Sequence, residues 1–315
     1  MTSDATPAPT PSPASGTSDG SAPSAPSAPA VTYGRLGVWS SALRAETPEQ
    51  RLELTDAVTE LEDLGYGTVW SGGSPSLDDV APLLQATRRI TVATGILSLW
   101  EHTAQEVAAQ AARFEEQYPG RFVLGLGVSH GALAPQYARP YSSMVDYLDA
   151  LDAAPVPLPA GRRVLAALGP KMLKLAADRA SGAHPYLVTP EHTAQARETL
   201  GPDAFLAPEL TVVLHPDLDR ARTVARTMLG FYLTLPNYTN NLLRLGFTEA
   251  DFEGNGSDRL LDALFALGNA DRVRAKAEEY FAAGADHLAL QALPTDEGQS
   301  PLPRAEWREL AKALL

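Results

Sequence analysis

The stretch Arg121-Phe-Val-Leu-Gly-Leu-Gly-Val-Ser-His-Gly131 is apolar from Phe122 to Val128, broken only by Gly125 and Gly127, and closes on the polar pair Ser129-His130. A short apolar run bounded by turn signals fits a strand buried on both faces, as in a parallel sheet. Glycine weakens a strand, so two inside one strand imply that something approaches the backbone closely. Gly125, the deeper, is expected to serve packing; Gly127, nearer the end, is expected to make room for a planar ring. The polar pair falls at the strand's C-terminal end, where parallel α/β folds place their chemistry.

Upstream, the same unit repeats. Leu36-Gly-Val-Trp39 is a short apolar run, and Thr47-Pro48-Glu49 has the form of a helix N-cap with Pro in the first turn. Thr68-Val-Trp70 is the next strand, ending in Ser71-Gly-Gly-Ser74, and Ser76-Leu-Asp-Asp79 opens a helix. Arg89 to Leu99, rich in β-branched residues, reads as one strand running into Trp100-Glu101-His102, with a helix from Thr103 to Gln117.

Downstream, a helix is expected from Pro140 to about Leu151, a strand from Val164 to Leu168 and a helix after Gly169-Pro170-Lys171. A short strand over Pro185–Val188, a helix opened by Thr189, and a strand from Thr211 to Leu214 follow. A long helical region begins at Asp217, is interrupted by Pro236-Asn-Tyr-Thr-Asn-Asn241 and resumes to Gly284. Asp286–Leu293 is the last strand and Arg304–Leu314 the last helix. Eight strands, each followed by helix, predict a (β/α)8 TIM barrel over residues 33–315 with a helical insertion before the last strand. An open doubly wound sheet would show a glycine fingerprint after its first strand, and Trp39-Ser-Ser-Ala lacks one.

Composition narrows the function. The chain has 315 residues, 44% of them hydrophobic, as in a soluble globular protein. A net charge of −13 argues against general binding to nucleic acid or acidic membranes. There is no cysteine, which removes disulfides, thiolate catalysis and Cys-type metal sites. No apolar stretch approaches the roughly 18–20 residues that span a membrane. Residues 1–32 form a Pro/Ala/Ser-rich tail, expected to be disordered because it holds too little apolar surface to fold. It lacks the pattern of a signal peptide, and the protein is read as cytoplasmic.

Six segments in order carry a family resemblance: Ala93-Thr-Gly-Ile96; Gly120-Arg-Phe-Val-Leu-Gly-Leu-Gly-Val-Ser-His130; Ala166-Ala-Leu-Gly-Pro-Lys-Met-Leu173; Gly182-Ala-His-Pro-Tyr-Leu-Val-Thr-Pro190; Leu235-Pro-Asn-Tyr-Thr-Asn-Asn-Leu242 with Arg244-Leu-Gly-Phe247; and Ala283-Gly-Ala-Asp-His287. With this order and spacing the chain resembles the luciferase-like monooxygenase superfamily, and within it a subgroup of coenzyme F420-dependent oxidoreductases. The resemblance implies a (β/α)8 barrel that binds a deazaflavin and transfers a hydride between it and a small organic substrate. An FMN-dependent monooxygenase is the alternative cofactor reading. A non-catalytic flavin- or deazaflavin-binding protein is another, since Ser71-Gly-Gly-Ser74 stands where relatives place a His or Glu after the second strand. Relatives often form homodimers.

The resemblance also implies where the cofactor lies. Gly95-Ile96 is where members often carry a non-proline cis peptide against the cofactor ring. Gly169, Pro170 and Lys171 fall in the loop that meets the cofactor phosphate, which suits a helix N-terminus with its free N–H groups. Gly127, Ser129 and His130 form the rim beside the ring, and His130 is a candidate acid–base group because imidazole titrates near neutrality. Trp39, Trp100, His102, His184, Tyr186, Asn237 and Tyr238 are candidate substrate-pocket residues. No metal site is expected, because the histidines lack the pairing of a zinc motif. His287, at the start of the last strand, reads as a packing residue. Arg162, Arg163, Lys171, Lys174 and Arg179 form a basic cluster that is either a cofactor-tail site or a charged helix face.

Overall fold

The computed structural model describes residues 1–2, 30–132, 134–295 and 302–315. Most of the expected disordered tail, residues 3–29, therefore lies outside the described residues. Its end is already engaged: Thr91 Oγ1 donates to Thr32 O, and Val31 packs against the barrel interior.

In chain order the elements are β1 (Leu36–Ser40), α1 (Pro48–Asp63), β2 (Thr68–Gly72), α2 (Leu77–Ala86), β3 (Thr91–Gly95), β4 (Leu97–Ser98), α3 (Ala104–Gln117), β5 (Phe122–Gly127) and α4 (Pro140–Asp152). Then come β6 (Arg163–Leu165), α5 (Pro170–Arg179), β7 (Gly182–Ala183), α6 (Pro190–Leu200), β8 (Phe205–Leu206), β9 (Glu209–Leu214), α7 (Leu218–Tyr232) and α8 (Pro236–Arg244). The chain finishes with α9 (Asp258–Leu264), β10 (Ala266–Gly268), α10 (Ala270–Ala282), β11 (Leu288–Ala292) and α11 (Arg304–Leu314). The early helices start where the sequence says they should. Thr47, Ser76 and Thr103 each close a capping box with the side chain three residues on, Gln50, Asp79 and Glu106.

All strand pairs are parallel, in the order β10-β9-β11-β1-β2-β3-β5-β6-β7-β8, with β4 beside β5. Only Ala207 and Pro208 separate β8 from β9. Ala207 N and Glu209 N donate to Ala183 O and Pro185 O on one side, and Ala289 N donates to Pro208 O on the other. Segment 205–214 thus bridges both ends of the order and curls the sheet into the expected barrel.

Alternation along the strands sorts the core into layers. Trp39, Trp70, Ala93, Val123, Val164, Ala207 and Ala289 fill the interior. Leu36, Val38, Leu124, Leu126, Leu210 and Val212 face the helices. A separate cluster, with Val213, Ala225, Leu229, Tyr238 and Leu242, packs the helical insertion against the end of β9.

The structure moves several boundaries. The strand expected at Pro185–Val188 lies instead at Gly182–Ala183, two residues too small to show an apolar pattern. The long third strand is split at Ile96 into β3 and β4. The strand expected at Thr211 begins at Glu209 and is preceded by β8. Pro236–Asn241 does not interrupt the helices; it opens α8, with Pro236 in the first turn and Tyr238, Asn241 and Leu242 on the buried face.

Both glycines of β5 admit a neighbouring strand. A Cβ on Gly125 would lie 1.9 Å from Thr94 O, and one on Gly127 would lie 2.4 Å from Ile96 Cδ1. The group that occupies the space over Gly127 is the Ile96 side chain, which corrects the expectation that Gly127 itself faces a ring.

Candidate functional site

The C-terminal ends of the strands form a mouth walled by aromatic rings. Trp39 on β1 fixes its indole by donating from Nε1 to Gly95 O at 2.8 Å. Its ring lies 5.2 Å from Tyr186, which follows β7. Tyr186 also meets Tyr232 of α7 at 5.4 Å and Tyr238 of α8 at 6.4 Å, and Tyr232 meets Tyr238 edge-on at 5.1 Å. Tyr238 reaches His130 across the mouth, ring to ring at 5.4 Å. The insertion helices thus close over the barrel from the side of β9.

His130 is held from the same helix: the Asn237 amide donates to its Nδ1 at 3.3 Å. With Nδ1 accepting, the neutral ring carries its proton on Nε2. Burial lowers its affinity for a second proton. In this state His130 is a hydrogen-bond donor rather than an imidazolium acid. Ser129 before it has φ +56°, a left-handed turn that ends the strand, and the peptide bond Gly95–Ile96 is cis.

Other candidates lie elsewhere. Trp100 donates from Nε1 to Val128 O at 2.6 Å and so ties the β4 and β5 loops together. It borders a cleft with His102, Glu106, Asp146 and Tyr147 between α3 and α4, so His102 opens into that cleft. His184 is 1% exposed and stacks on Trp70 at 4.3 Å. Its Nδ1 donates to Ala207 O at 2.7 Å, and burial lowers its pKa to about 4. It is part of the barrel filling, not of the pocket wall, because the small residues Gly182 and Ala183 bring it down beside Trp70. His287, fully buried, accepts from Trp70 at 3.0 Å and is a packing residue as read.

The basic cluster divides. Arg162 pairs with Glu115, Arg163 with Asp152, Lys174 with Asp178, and Arg179 with Asp149 and Asp152. Arg163 opens β6, at the end of the barrel away from the mouth, and is 1% exposed. These four are structural, because carboxylates of α3, α4 and α5 already neutralise them.

Lys171 remains, in the first turn of α5. Gly169 caps that helix with no side-chain hydrogen bond, and a Cβ there would meet nothing within 4 Å. Pro170 has no N–H and the Met172 and Leu173 amides donate to Gly169 O, so Lys171 N is the first-turn amide left without a backbone partner among the described residues. Three residues outside the sequence-based set connect in turn to Leu168, the residue before Gly169. His192 Nε2 donates to Leu168 O at 2.9 Å, and Arg244 lies near enough to help lower the affinity of His192 for a proton, after the larger effect of burial. Arg244 donates to Asn241 Oδ1 at 3.1 Å, while Asn241 Nδ2 is buried with no partner among the described residues. Buried amide donors are almost always paired. An unpaired one, next to an arginine and an uncapped helix start with a lysine, is suited to an anion such as a phosphate.

One further group escaped the sequence reading. Glu209, 1% exposed on the inner face of β9, accepts from Leu187 N and Thr211 Oγ1. Strict alternation of Ala207, Glu209, Thr211 and Val213 in an apolar run was the signal that it faces inward.

Comparison with known proteins agrees with this fold. A family model described as luciferase-like monooxygenase matches residues 35–287. Rv3520c of Mycobacterium tuberculosis (strain ATCC 25618 / H37Rv), provisionally named a coenzyme F420-dependent oxidoreductase, is 28% identical over 123 residues, 36% of this chain and about a third (33%) of that protein's length. An F420-dependent secondary alcohol dehydrogenase in complex with an F420-acetone adduct superposes with TM-score 0.67 at 14% identity, covering 89% of this chain and 99% of that one. A type II Baeyer-Villiger monooxygenase, the oxygenating constituent of 3,6-diketocamphane monooxygenase from Pseudomonas putida in complex with FMN, superposes with TM-score 0.63 at 14% identity, covering 89% and 98%.

Proposed function

The chain belongs to the luciferase-like monooxygenase family, and from that premise we propose that it is a deazaflavin-dependent oxidoreductase of the cytoplasm, transferring a hydride to or from a small organic substrate. The observation that carries this reading is the open start of α5. An uncapped helix N-terminus with Lys171, Arg244 and the unpaired Asn241 amide suits the phosphate of a cofactor whose ring would lie toward the aromatic mouth. When bound, such a cofactor supplies a carbon centre that gives or accepts a hydride.

The chain's own residues have separate tasks. Lys171, through its side chain and its backbone N–H, Arg244 and Asn241 hold the phosphate. Trp39, Tyr186 and Tyr238 wall the mouth and exclude water, which strengthens every polar contact inside. His130, anchored by Asn237, offers its Nε2 proton as a hydrogen bond to ring or substrate. No cation is paired into the aromatic wall among the described residues, so the substrate expected there is uncharged.

The FMN reading keeps two supports, the FMN-bound structure of the same fold and the phosphate that FMN shares with coenzyme F420. The two readings separate in one experiment. The purified protein is titrated with coenzyme F420, FMN and riboflavin, following fluorescence. Tight binding of F420 with weak FMN binding is expected. FMN binding alone overturns the deazaflavin reading, and riboflavin binding as tight as FMN overturns the phosphate site.

A further inference from the structure

Above the buried His184 and His287, one sector of the barrel interior toward the mouth is polar. On β9, Glu209 and Thr211 share the inner face; on β11, Ala289 and Gln291 are their register partners. Thr211 Oγ1 donates to Glu209 Oε1 at 2.5 Å, and Leu187 N donates to Oε2 at 3.2 Å. At the level of Thr211, Tyr186 OH donates to Gln291 Oε1 at 2.7 Å and accepts from Tyr232 OH at 3.1 Å. Two hydrogen-bonded groups, Glu209 with Thr211 and Gln291 with Tyr186 and Tyr232, thus lie at neighbouring register levels of β9 and β11, the second of them at the aromatic mouth.

Glu209 differs from the other buried carboxyls. Glu62 accepts from three backbone amides, and Asp251 pairs with Arg259 and two hydroxyls. Glu209 has one amide, one hydroxyl and, among the described residues, no ion pair. The titratable groups close enough to feel its charge are phenols: Tyr186 after β7, Tyr232 on α7, Tyr238 on α8 and Tyr280 on α10. Burying a carboxylate without a cation is unfavourable, so such a group keeps its proton unless the environment offers a use for it. Burial raises its pKa to about 7, against the smaller lowering by Thr211 and Leu187. A glutamine would fill the same space and accept from the same threonine. The acid is not required by the fold.

We propose that Glu209 is the proton-holding group of the barrel mouth, exchanging a proton with the substrate oxygen by way of the Thr211 and Tyr186 hydroxyls. The inference rests on the hydride-transfer reading. In carbonyl reduction the carbonyl carbon gains a hydride, with its electron pair, from the reduced deazaflavin. The π pair moves to oxygen, the oxygen takes a proton from the two hydroxyls, and Glu209 re-protonates them and is left as carboxylate. Alcohol oxidation runs each step backwards, and the proton ends on Glu209.

Two readouts test this on the full chain, with Glu209→Gln and Thr211→Val as variants. The first needs no cofactor: the infrared carbonyl band of a protonated carboxyl is followed with pH. It is expected in the wild type at about pH 6 and lost above about pH 8, and absent from Glu209→Gln. A wild type without the band overturns the proposal. The second is single-turnover reduction of acetone, cyclohexanone and benzaldehyde by chemically reduced coenzyme F420. The wild-type rate is expected to fall as pH rises through neutrality. Glu209→Gln should be about a hundredfold slower and flat with pH, with cofactor affinity unchanged. Thr211→Val should slow the reaction while keeping the infrared band, which holds the test open if Glu209→Gln folds poorly. A variant at position 209 with the wild-type pH profile overturns the proposal. If the band is present but no carbonyl compound is reduced by a protein that binds F420, the hydride-transfer reading fails, while the band still assigns the proton to Glu209.

Discussion

The indole Nε1 of Trp70 donates a 3.0 Å hydrogen bond to Nε2 of His287, and the same imidazole donates from Nδ1 to Gly34 O at 2.8 Å. The first bond joins β2 to the residue before β11; the second reaches the segment that leads into β1. Because one ring nitrogen accepts and the other donates, the ring is neutral with its tautomer fixed. Burial lowers its pKa from 6.5 to about 4, and His184, stacked on the other side of Trp70, is lowered to about 4 as well. Both folded pKa values lie below the unfolded one. Their contribution to stability is therefore complete above about pH 6.5 and lost as pH falls toward 4, by about 3 kcal/mol for each ring. Denaturant unfolding at pH 7, 5.5 and 4.5 measures the slope. His287→Phe should remove its share of that slope and lower stability at pH 7, since Gly34 O and the Trp70 N–H lose their partner. An unchanged slope in the variant refutes the assignment.

Glu62 performs the work of a cap between two elements. From α1 it accepts from the backbone N–H groups of Arg88, Arg89 and Ile90, at 3.0, 2.5 and 2.9 Å, and so aims the chain into β3. Burial opposes its charge, but the three amides outweigh burial and hold its pKa below the ordinary 4.5. Glu62→Ala should cost about 3 kcal/mol by removing charged acceptors from buried donors. Since the folded pKa is the lower one, the contribution persists above about pH 4.5 and fades below it. Equal stability of variant and wild type at pH 7 would count against this account.

The glycines of β5 should respond differently to the same substitution. At Gly125 an added Cβ meets the backbone oxygen of Thr94 at 1.9 Å, and that strand is fixed by Thr94 Oγ1 donating to Gly125 O at 2.6 Å. Gly125→Ala has no flexible neighbour to displace and should cost about 3 kcal/mol or more. At Gly127 the neighbour is the tip of the half-buried Ile96 side chain, which can turn aside for about 1 kcal/mol. Turned toward the mouth, it narrows the space left there for a cofactor ring. Gly127→Ala should therefore fold and bind the cofactor more weakly. Thermal melts and the fluorescence titration separate the two effects; equal losses of stability at both sites would refute the contrast.

The first βα units could be read from sequence because each announces itself twice, by an apolar run and by a capped helix. Where the apolar run fails, so does the reading. β7 consists of Gly182 and Ala183, which show no periodicity, so the expected strand slid to the more apolar Pro185–Val188. In α8 the polar Asn237, Thr239, Asn240 and Asn241 hid a helix whose buried face is Tyr238, Asn241 and Leu242. The phosphate-binding candidate at Gly169–Lys171 was legible as a strand–helix turn. Its partners Asn241 and Arg244 were not, because about seventy residues of chain separate them and only tertiary packing brings α8 beside α5. Arg162 and Arg163 belong to the cluster read as either a cofactor-tail site or a charged helix face; Arg162 precedes β6 and Arg163 opens it, so both lie at the end of the barrel away from the mouth.

That packing makes α8 testable as part of the cofactor site. Arg244→Ala and Asn241→Leu each remove a donor near the α5 start and should weaken binding of FMN or coenzyme F420 about tenfold. Riboflavin, which has the ring but no phosphate, should bind variants and wild type alike. Raising the ionic strength should erode the Arg244 contribution more than that of buried Asn241. A loss of riboflavin affinity equal to that of FMN would mean that α8 shapes the ring pocket rather than the phosphate site.

Glu209 acts on stability in the sense opposite to His184 and His287. Its folded pKa, about 7, lies above its ordinary value of 4.5. Between these values the unfolded chain releases a proton that the folded chain keeps, so stability contributed below about pH 4.5 is lost as pH rises to 7, roughly 3 kcal/mol in all. Over the same interval the two buried histidines gain. The wild-type curve is thus a difference of opposing slopes, and Glu209→Gln should steepen it: stability near pH 4.5 close to wild type, stability at pH 8 higher by up to roughly 3 kcal/mol, less whatever the lost Leu187 hydrogen bond costs. A carboxyl retained against this loss at neutral pH is the signature of a group kept for chemistry rather than for folding. Unfolding curves for wild type and Glu209→Gln at pH 4.5, 6 and 8 decide the matter, and parallel curves across the range would show that Glu209 is already ionised when the protein is folded.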